Sequence, residues 1–173
     1  MNGRASPPAA RTVVGIDPGL NTTGYGVVRQ SPTGMVLIEA GIVRSNARRT
    51  LQSRLNEIYS GVREVLDAHN PDLLALEQLF SHYSRPRTAI LMGHARGVIC
   101  LAAAQHALAV VHIEPTRVKR VLTGSGRASK TQIQNAVRVQ FGLETVPQPS
   151  DVSDAIAIAV CGHHLETNAT ALI

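Results

Sequence analysis

The sequence predicts an α/β domain, a mixed five-stranded sheet flanked by helices, and three observations carry that expectation. Before residue 50 the chain reads only as strands and turns; after it, short apolar runs alternate with helix-length segments. A length of 173 residues is one ordinary domain, able to bury a core without disulfide or metal staples. The hydrophobic fraction is 44%, with no Trp, two Phe and three Tyr, so that core must be aliphatic.

The first strand, 12 to 17, is an apolar run that ends on Asp17. Gly19 and Asn21 supply the turn to a second strand, Thr23 to Gln30, and Ser31-Pro32-Thr33-Gly34 the turn to a third, Met35 to Val43. Connections this short make the three antiparallel neighbours. Thr50 caps an amphipathic helix to about His69, with Leu51, Leu55, Ile58, Val62, Val65 and Leu66 on one stripe, and Asn70-Pro71 stops it. In the next strand, 72 to 77, Leu73 to Leu76 are all apolar, as burial on both faces requires. A polar loop, Ser81 to Arg87, leads to an Ala-rich helix from about Thr88 to His106, whose Gly93 and Gly97 make a smooth face for packing on the sheet or for a dimer seam. Leu108 to Ile113 reads as a further buried strand, and Pro115 opens a short helix to Leu122. Beyond the loop Thr123-Gly124-Ser125-Gly126, Ser129 caps a helix to Phe141; Pro147-Gln148-Pro149 is an extended linker, and Ser150 caps a last helix to about Glu166. Residues 12–167 form the single domain, 1–11 a disordered lead-in and 168–173 a tail.

Several classes are excluded. Cys100 and Cys161 stand apart with no C-x-x-C spacing, and no two His have metal-ligand spacing, which argues against a zinc site or a disulfide framework. No apolar run approaches the ~18 residues of a membrane span, and the first eleven residues lack a signal-peptide core. The expectation is a chain of the reducing cytoplasm with no membrane partner. The net charge of +5 is unevenly spread: residues 78 to 143 hold nine basic side chains against the single acid Glu114. A basic half of this kind suits a polyanionic partner, and it puts Arg85, Arg87, Arg120 and Arg127 forward as phosphate contacts.

Four acids lie where ordinary surface carboxylates are hard to place. Asp17 and Glu77 each end an apolar strand, at what would be the carboxyl edge of the sheet. Asp151 and Asp154 are three apart in front of Ala155 to Val160, so a helix sets both on one face just before its buried body. Singly, Asp17 also fits a turn and Asp151 a favourable helix start. Together they are four hard oxygen donors suited to Mg²⁺, or Mn²⁺ in its place, in a two-metal phosphoryl-transfer site. Lys119 and Lys130 are the only lysines among seventeen basic residues, and a compact ammonium can approach one phosphate oxygen as a point charge in a way that Arg cannot.

Gly15-Ile16-Asp17-Pro18-Gly19, Thr23-Gly24-Tyr25-Gly26-Val27, Glu77-Gln78-Leu79-Phe80, His94-Ala95-Arg96-Gly97, Val118-Lys119 and Asp151-Val152-Ser153-Asp154-Ala155 occur in an order and at intervals that resemble the RuvC Holliday junction resolvases. The resemblance runs from about Val13 to about His164. It implies a ribonuclease-H-like fold and a homodimer that resolves four-way DNA junctions by paired symmetric nicks in recombination and repair, alongside the RuvA and RuvB branch-migration proteins. By matching position it implies that Asp17, Glu77, Asp151 and Asp154 hold two Mg²⁺ ions, that Lys119 contacts phosphate, that Lys130 is catalytic, and that Phe80 stacks on a junction base. A relative of this fold that processes RNA ends and a junction-binding module without catalysis are the alternatives. Four like charges beside DNA argue against the second unless metal is present.

Overall fold

The computed structural model describes residues 11–79 and 86–170, with side chains described to Leu165. Strands β1 (Thr12–Asp17), β2 (Thr22–Ser31) and β3 (Gly34–Arg44) form the expected antiparallel meander. Their registers run from Thr12↔Arg29 to Asp17↔Gly24 and from Thr22↔Arg44 to Ser31↔Gly34. Only Pro32 and Thr33 separate the paired ends of the second hairpin, and its closing residue adopts φ +130°, a conformation open to Gly34 and strained for other residues. Strands β4 (Leu73–Glu77) and β5 (Ala109–Ile113) add in parallel on the far side of β1, so the order is β3-β2-β1-β4-β5.

Alternation along the strands divides the core between two faces. Val14, Ile16, Leu74 and Leu76 point toward α1 (Leu51–His69) and α2 (Pro86–Gln105). Val13, Leu73 and Ala75 point toward α3 (Pro115–Thr123), α4 (Lys130–Gln140) and α5 (Ser150–Thr170). The helix limits follow local chemistry. The Thr50 side chain accepts the Ser53 N–H, and Asn70 ends α1 in a left-handed conformation (φ 40°, ψ 59°). Ser129 and Gln132 form a reciprocal capping box that starts α4 at Lys130.

Four expectations shift. Helix α2 begins at Pro86, two residues before Thr88, because a first-turn proline loses no hydrogen bond it needs. Ser150 is the first residue of α5 rather than its cap, and α5 continues past Glu166 to Thr170. Strand β5 is not buried: it lies at the sheet edge, where Ala109 and His112 are exposed and only Ile113 is enclosed. Gly93 and Gly97 do not pack on the sheet, since a Cβ at either would meet nothing within 4 Å. No helix among the described residues is long and apolar enough to cross a membrane.

Candidate active site

Parallel pairing of β1 with β4 brings the first two carboxylates together. The register Ile16↔Leu76 makes Asp17 and Glu77 the next residues on neighbouring strands, at their carboxyl ends. Open α/β sheets place ligands at this edge, where loops diverge and leave a crevice.

Asp151 and Asp154 arrive on α5, and three strand glycines let that helix come close enough. A Cβ at Gly24 would stand 2.1 Å from the Asp151 carbonyl oxygen, one at Gly26 2.8 Å from Ile156 Cα, and one at Gly15 2.2 Å from the Ala159 nitrogen. Gly15 pairs with Gly26 and Asp17 with Gly24, so the smooth patch lies directly under the first turns of α5. Backbone therefore meets backbone, and the two aspartates are lowered onto the edge that bears Asp17. Ser153, fully buried between them, donates to the Pro147 carbonyl at 3.1 Å and ties the helix start to the preceding linker.

The electrostatics are those of crowded anions. The Asp17 carboxyl is pushed from its ordinary 3.8 up to about 8, first by burial and then by Glu77, Asp154 and Asp151, with Lys130 opposing. Glu77 is raised by burial and Asp154 against the pull of Arg96, Lys119 and Lys130. Lys130, on the first turn of α4, places Nζ 3.0 Å from Asp154 Oδ2, and its own pKa is raised chiefly by that hydrogen bond. Among the described residues no three Asp, Glu, His or Cys side chains close into a ready cage. Asp154 is instead engaged by Lys130. The donor set still suits a hard divalent cation: four carboxylates, no thiol or imidazole, and a buried group whose ionisation is opposed until positive charge arrives.

The other expected site residues distribute around this edge. Lys119, half-buried on α3, lies near enough to Glu77 to lower its pKa. Arg87, Arg120 and Arg127 are exposed, on the first turn of α2, on α3 and in the loop before α4. Phe80 and Arg85 fall outside the described residues.

Two arginines that sequence reasoning gave no role in shaping the site hold its frame. Arg54 of α1 donates through Nη2 to the Leu20 carbonyl at 3.0 Å and through Nε to Ser45 Oγ at 3.2 Å, pinning the turn that follows Asp17. Arg96 of α2 donates through Nη1 to the Glu77 carbonyl and through Nη2 to His112 Nδ1 at 2.8 Å. Neither role shows in a local pattern. The one signal for Arg96 was its place in the motif His94-Ala95-Arg96-Gly97.

Comparison with known proteins places the chain in a family. The family model for the crossover junction endodeoxyribonuclease RuvC matches residues 13–163. The sequence is 59% identical over 164 residues to the crossover junction endodeoxyribonuclease RuvC of Rhodopirellula baltica, across 95% of this chain and 92% of that protein. It is 42% identical over 156 residues to that of Gloeobacter violaceus, across 88% and 89%. In structure it is similar to T. thermophilus RuvC in complex with a Holliday junction substrate, with a TM-score of 0.86 at 31% identity over 92% of this chain and 97% of that one. With its carboxylates gathered where the strand ends and α5 meet, the chain belongs to the RuvC family of crossover junction endodeoxyribonucleases.

Proposed function

We propose that the chain resolves four-way DNA junctions by metal-dependent hydrolysis of one phosphodiester in each of two opposed strands. The observation that carries the reading is Asp17: a strand-end carboxyl pushed up to about 8 by burial and by three further carboxylates, in a chain of this family. Asp17, Glu77, Asp151 and Asp154 would hold Mg²⁺, with Mn²⁺ as a substitute, and two such ions when bound supply Lewis acidity at the phosphate and lower the pKa of the attacking water.

The protein's own groups do the rest. Lys130 brings a positive charge to the Asp154 side of the site, where it can offset charge developing on the phosphate. Lys119 stands on the Glu77 side as a phosphate contact. The exposed Arg87, Arg120 and Arg127 extend the basic surface along the DNA, a role the proposal also gives to Arg85, and Phe80 would stack on a base at the open crossover. Two-fold symmetry of the junction asks for two active sites. The solvent face of α2, with Ile90 62% and Leu101 50% exposed and Gly93 and Gly97 open beside them, supports a homodimer. The family resemblance adds RuvA and RuvB as working partners in the cytoplasm.

The test is direct. A labelled mobile four-way junction, a linear duplex and a Y-fork are each incubated with the protein in Mg²⁺ or in Ca²⁺. Paired nicks confined to the junction and to Mg²⁺ are expected. Equal cutting of all three DNAs, or an uncut junction in both Mg²⁺ and Mn²⁺, overturns the proposal.

A further inference from the structure

Glu77 ends β4 just before the chain leaves the sheet, and beyond it the Gln78 N–H still reaches the Ile113 carbonyl at 2.8 Å. The Glu77 carbonyl is taken by Arg96, which reaches it from the third turn of α2. The second arm of the same guanidinium reaches His112, the residue before the end of β5. One side chain thus joins the ends of two parallel strands to the helix that covers them. An arginine has no acceptor, so His112 must accept through Nδ1 and carry its proton on Nε2. The hydrogen bond goes to the main-chain oxygen of Glu77, which leaves the carboxylate oxygens to other partners.

Resting on the metal-dependent reading above, we infer that Arg96 is a positioning residue: with His112 as its brace, it fixes the end of β4 so that the Glu77 carboxylate is presented to metal. A DNA contact is the other use for an arginine in the basic half of this chain, and the geometry opposes it. Arg96 is half-buried with both terminal nitrogens engaged inside the protein, whereas Arg87, Arg120 and Arg127 are exposed. Arg96 is also the foremost of the three positive charges acting on Glu77, ahead of Lys119 and Lys130, but a lysine in its place would supply charge as well. What Arg96 adds is a planar fork that serves two acceptors at once, which a lysine cannot do.

The experiment uses the full chain and three readouts: Mn²⁺ binding to the DNA-free protein, followed by the spin-resonance signal of free Mn²⁺; junction affinity in Ca²⁺ across a salt series; and the thermal midpoint. Arg96→Lys keeps the charge and loses the fork. It should weaken Mn²⁺ binding by about tenfold, the scale seen when a residue that orients a metal ligand is lost. Junction affinity and its salt slope should stay as in the wild type. In a Glu77→Gln background the same substitution should add little, because the two act as one unit. Wild-type Mn²⁺ affinity in Arg96→Lys, or full additivity with Glu77→Gln, overturns the role. A salt slope flattened by about one unit would make Arg96 a phosphate contact instead. If Arg96→Lys does not fold, His112→Ala, at an exposed position, must still weaken Mn²⁺ by about threefold, a lesser loss than that of the ligand-orienting residue itself; unchanged affinity there overturns the proposal. A wild-type protein that binds no Mn²⁺ yet cuts junctions sinks this role alone, whereas one that neither binds Mn²⁺ nor cuts sinks the metal-dependent reading beneath it.

Discussion

Helices α2 and α5 have 20 and 21 residues and similar Ala-rich, largely apolar sequences, yet the fold treats them in opposite ways. From Val152 to His163 every residue of α5 except Asp154 is buried, enclosed by the sheet on one side and by α3 and α4 on the other. Helix α2 buries only Ala95, Ile99, Ala102 and Ala103, and offers Ile90 and Leu101 to solvent. Glycine is used differently too. Under α5 it lies in the strands and permits contact with backbone; on α2 it lies in the helix and faces open space. An apolar helix therefore signals enclosure without saying by what: α5 is enclosed by its own domain, while α2 leaves an apolar stripe open to solvent, the face that the proposed homodimer would cover.

The largest expected effect tests the tight side of that contrast. In Gly24→Val the new side chain would meet the Asp151 backbone, which cannot yield without lifting α5. Stability should fall by about 3 kcal/mol or more, and cleavage should vanish with it; a denaturant melt near wild type would show that α5 is less constrained than its contacts imply.

Docking α5 also has an electrostatic cost, because it sets Asp151 and Asp154 against Asp17. Asp17→Asn should abolish cleavage and yet stabilise the metal-free protein. The sign follows from linkage: the Asp17 pKa is raised in the folded state, so its favourable contribution is complete below 3.8 and is lost as pH rises through about 8. The stability difference between variant and wild type should be near zero at pH 4, grow across that window and level off above it, and Mg²⁺ should shrink it. Melts across pH that stay parallel would contradict the arrangement.

On the loose side, Leu101→Asp places a charge on the exposed α2 stripe. It should leave the monomer folded and weaken self-association by at least tenfold, on the order of 1.4 kcal/mol, measured by sedimentation. Gly97→Ala is the gentlest probe. With no atom near its new Cβ, and under conditions dilute enough to keep the protein monomeric, it should raise stability by about 1 kcal/mol through helix propensity alone. The same substitution at Gly15 would be destructive.

Much of this was legible in the sequence because the signals were local. Thr50, Asn70, Ser129 and Gly34 each announce a boundary by their own chemistry, and a carboxylate at the end of an apolar strand is conspicuous wherever it falls. The misreadings share one cause: burial depends on neighbours that the segment does not name. Ala109-Val110-Val111 has the composition of an inner strand and lies at an edge, since sheet order is set elsewhere. Gly93 and Gly97 look like packing residues until the side on which the sheet lies is known. At the site, the four carboxylates could be proposed from position, but what lets α5 come down on the strands that bear Asp17 is Gly15, Gly24 and Gly26. Glycine within a strand is itself a sign of close backbone approach, and it was read only as part of a motif. Arg54 left no local trace, and Arg96 only its place in a motif, because each acts across the fold on a carbonyl.

The four carboxylates come from the opening, the middle and the last stretch of the chain: Asp17 on β1, Glu77 on β4, and Asp151 and Asp154 on α5. A nascent chain emerging from the ribosome, or a proteolytic remnant cut before residue 150, carries the basic half intact but only two of the four acids. Such a fragment also lacks the helix that fills one face of the core, so on the proposed reading it cannot assemble the site. If Asp151 and Asp154 hold metal as proposed, docking of α5 completes the core and the site in one step, so cutting would depend on a fully folded domain.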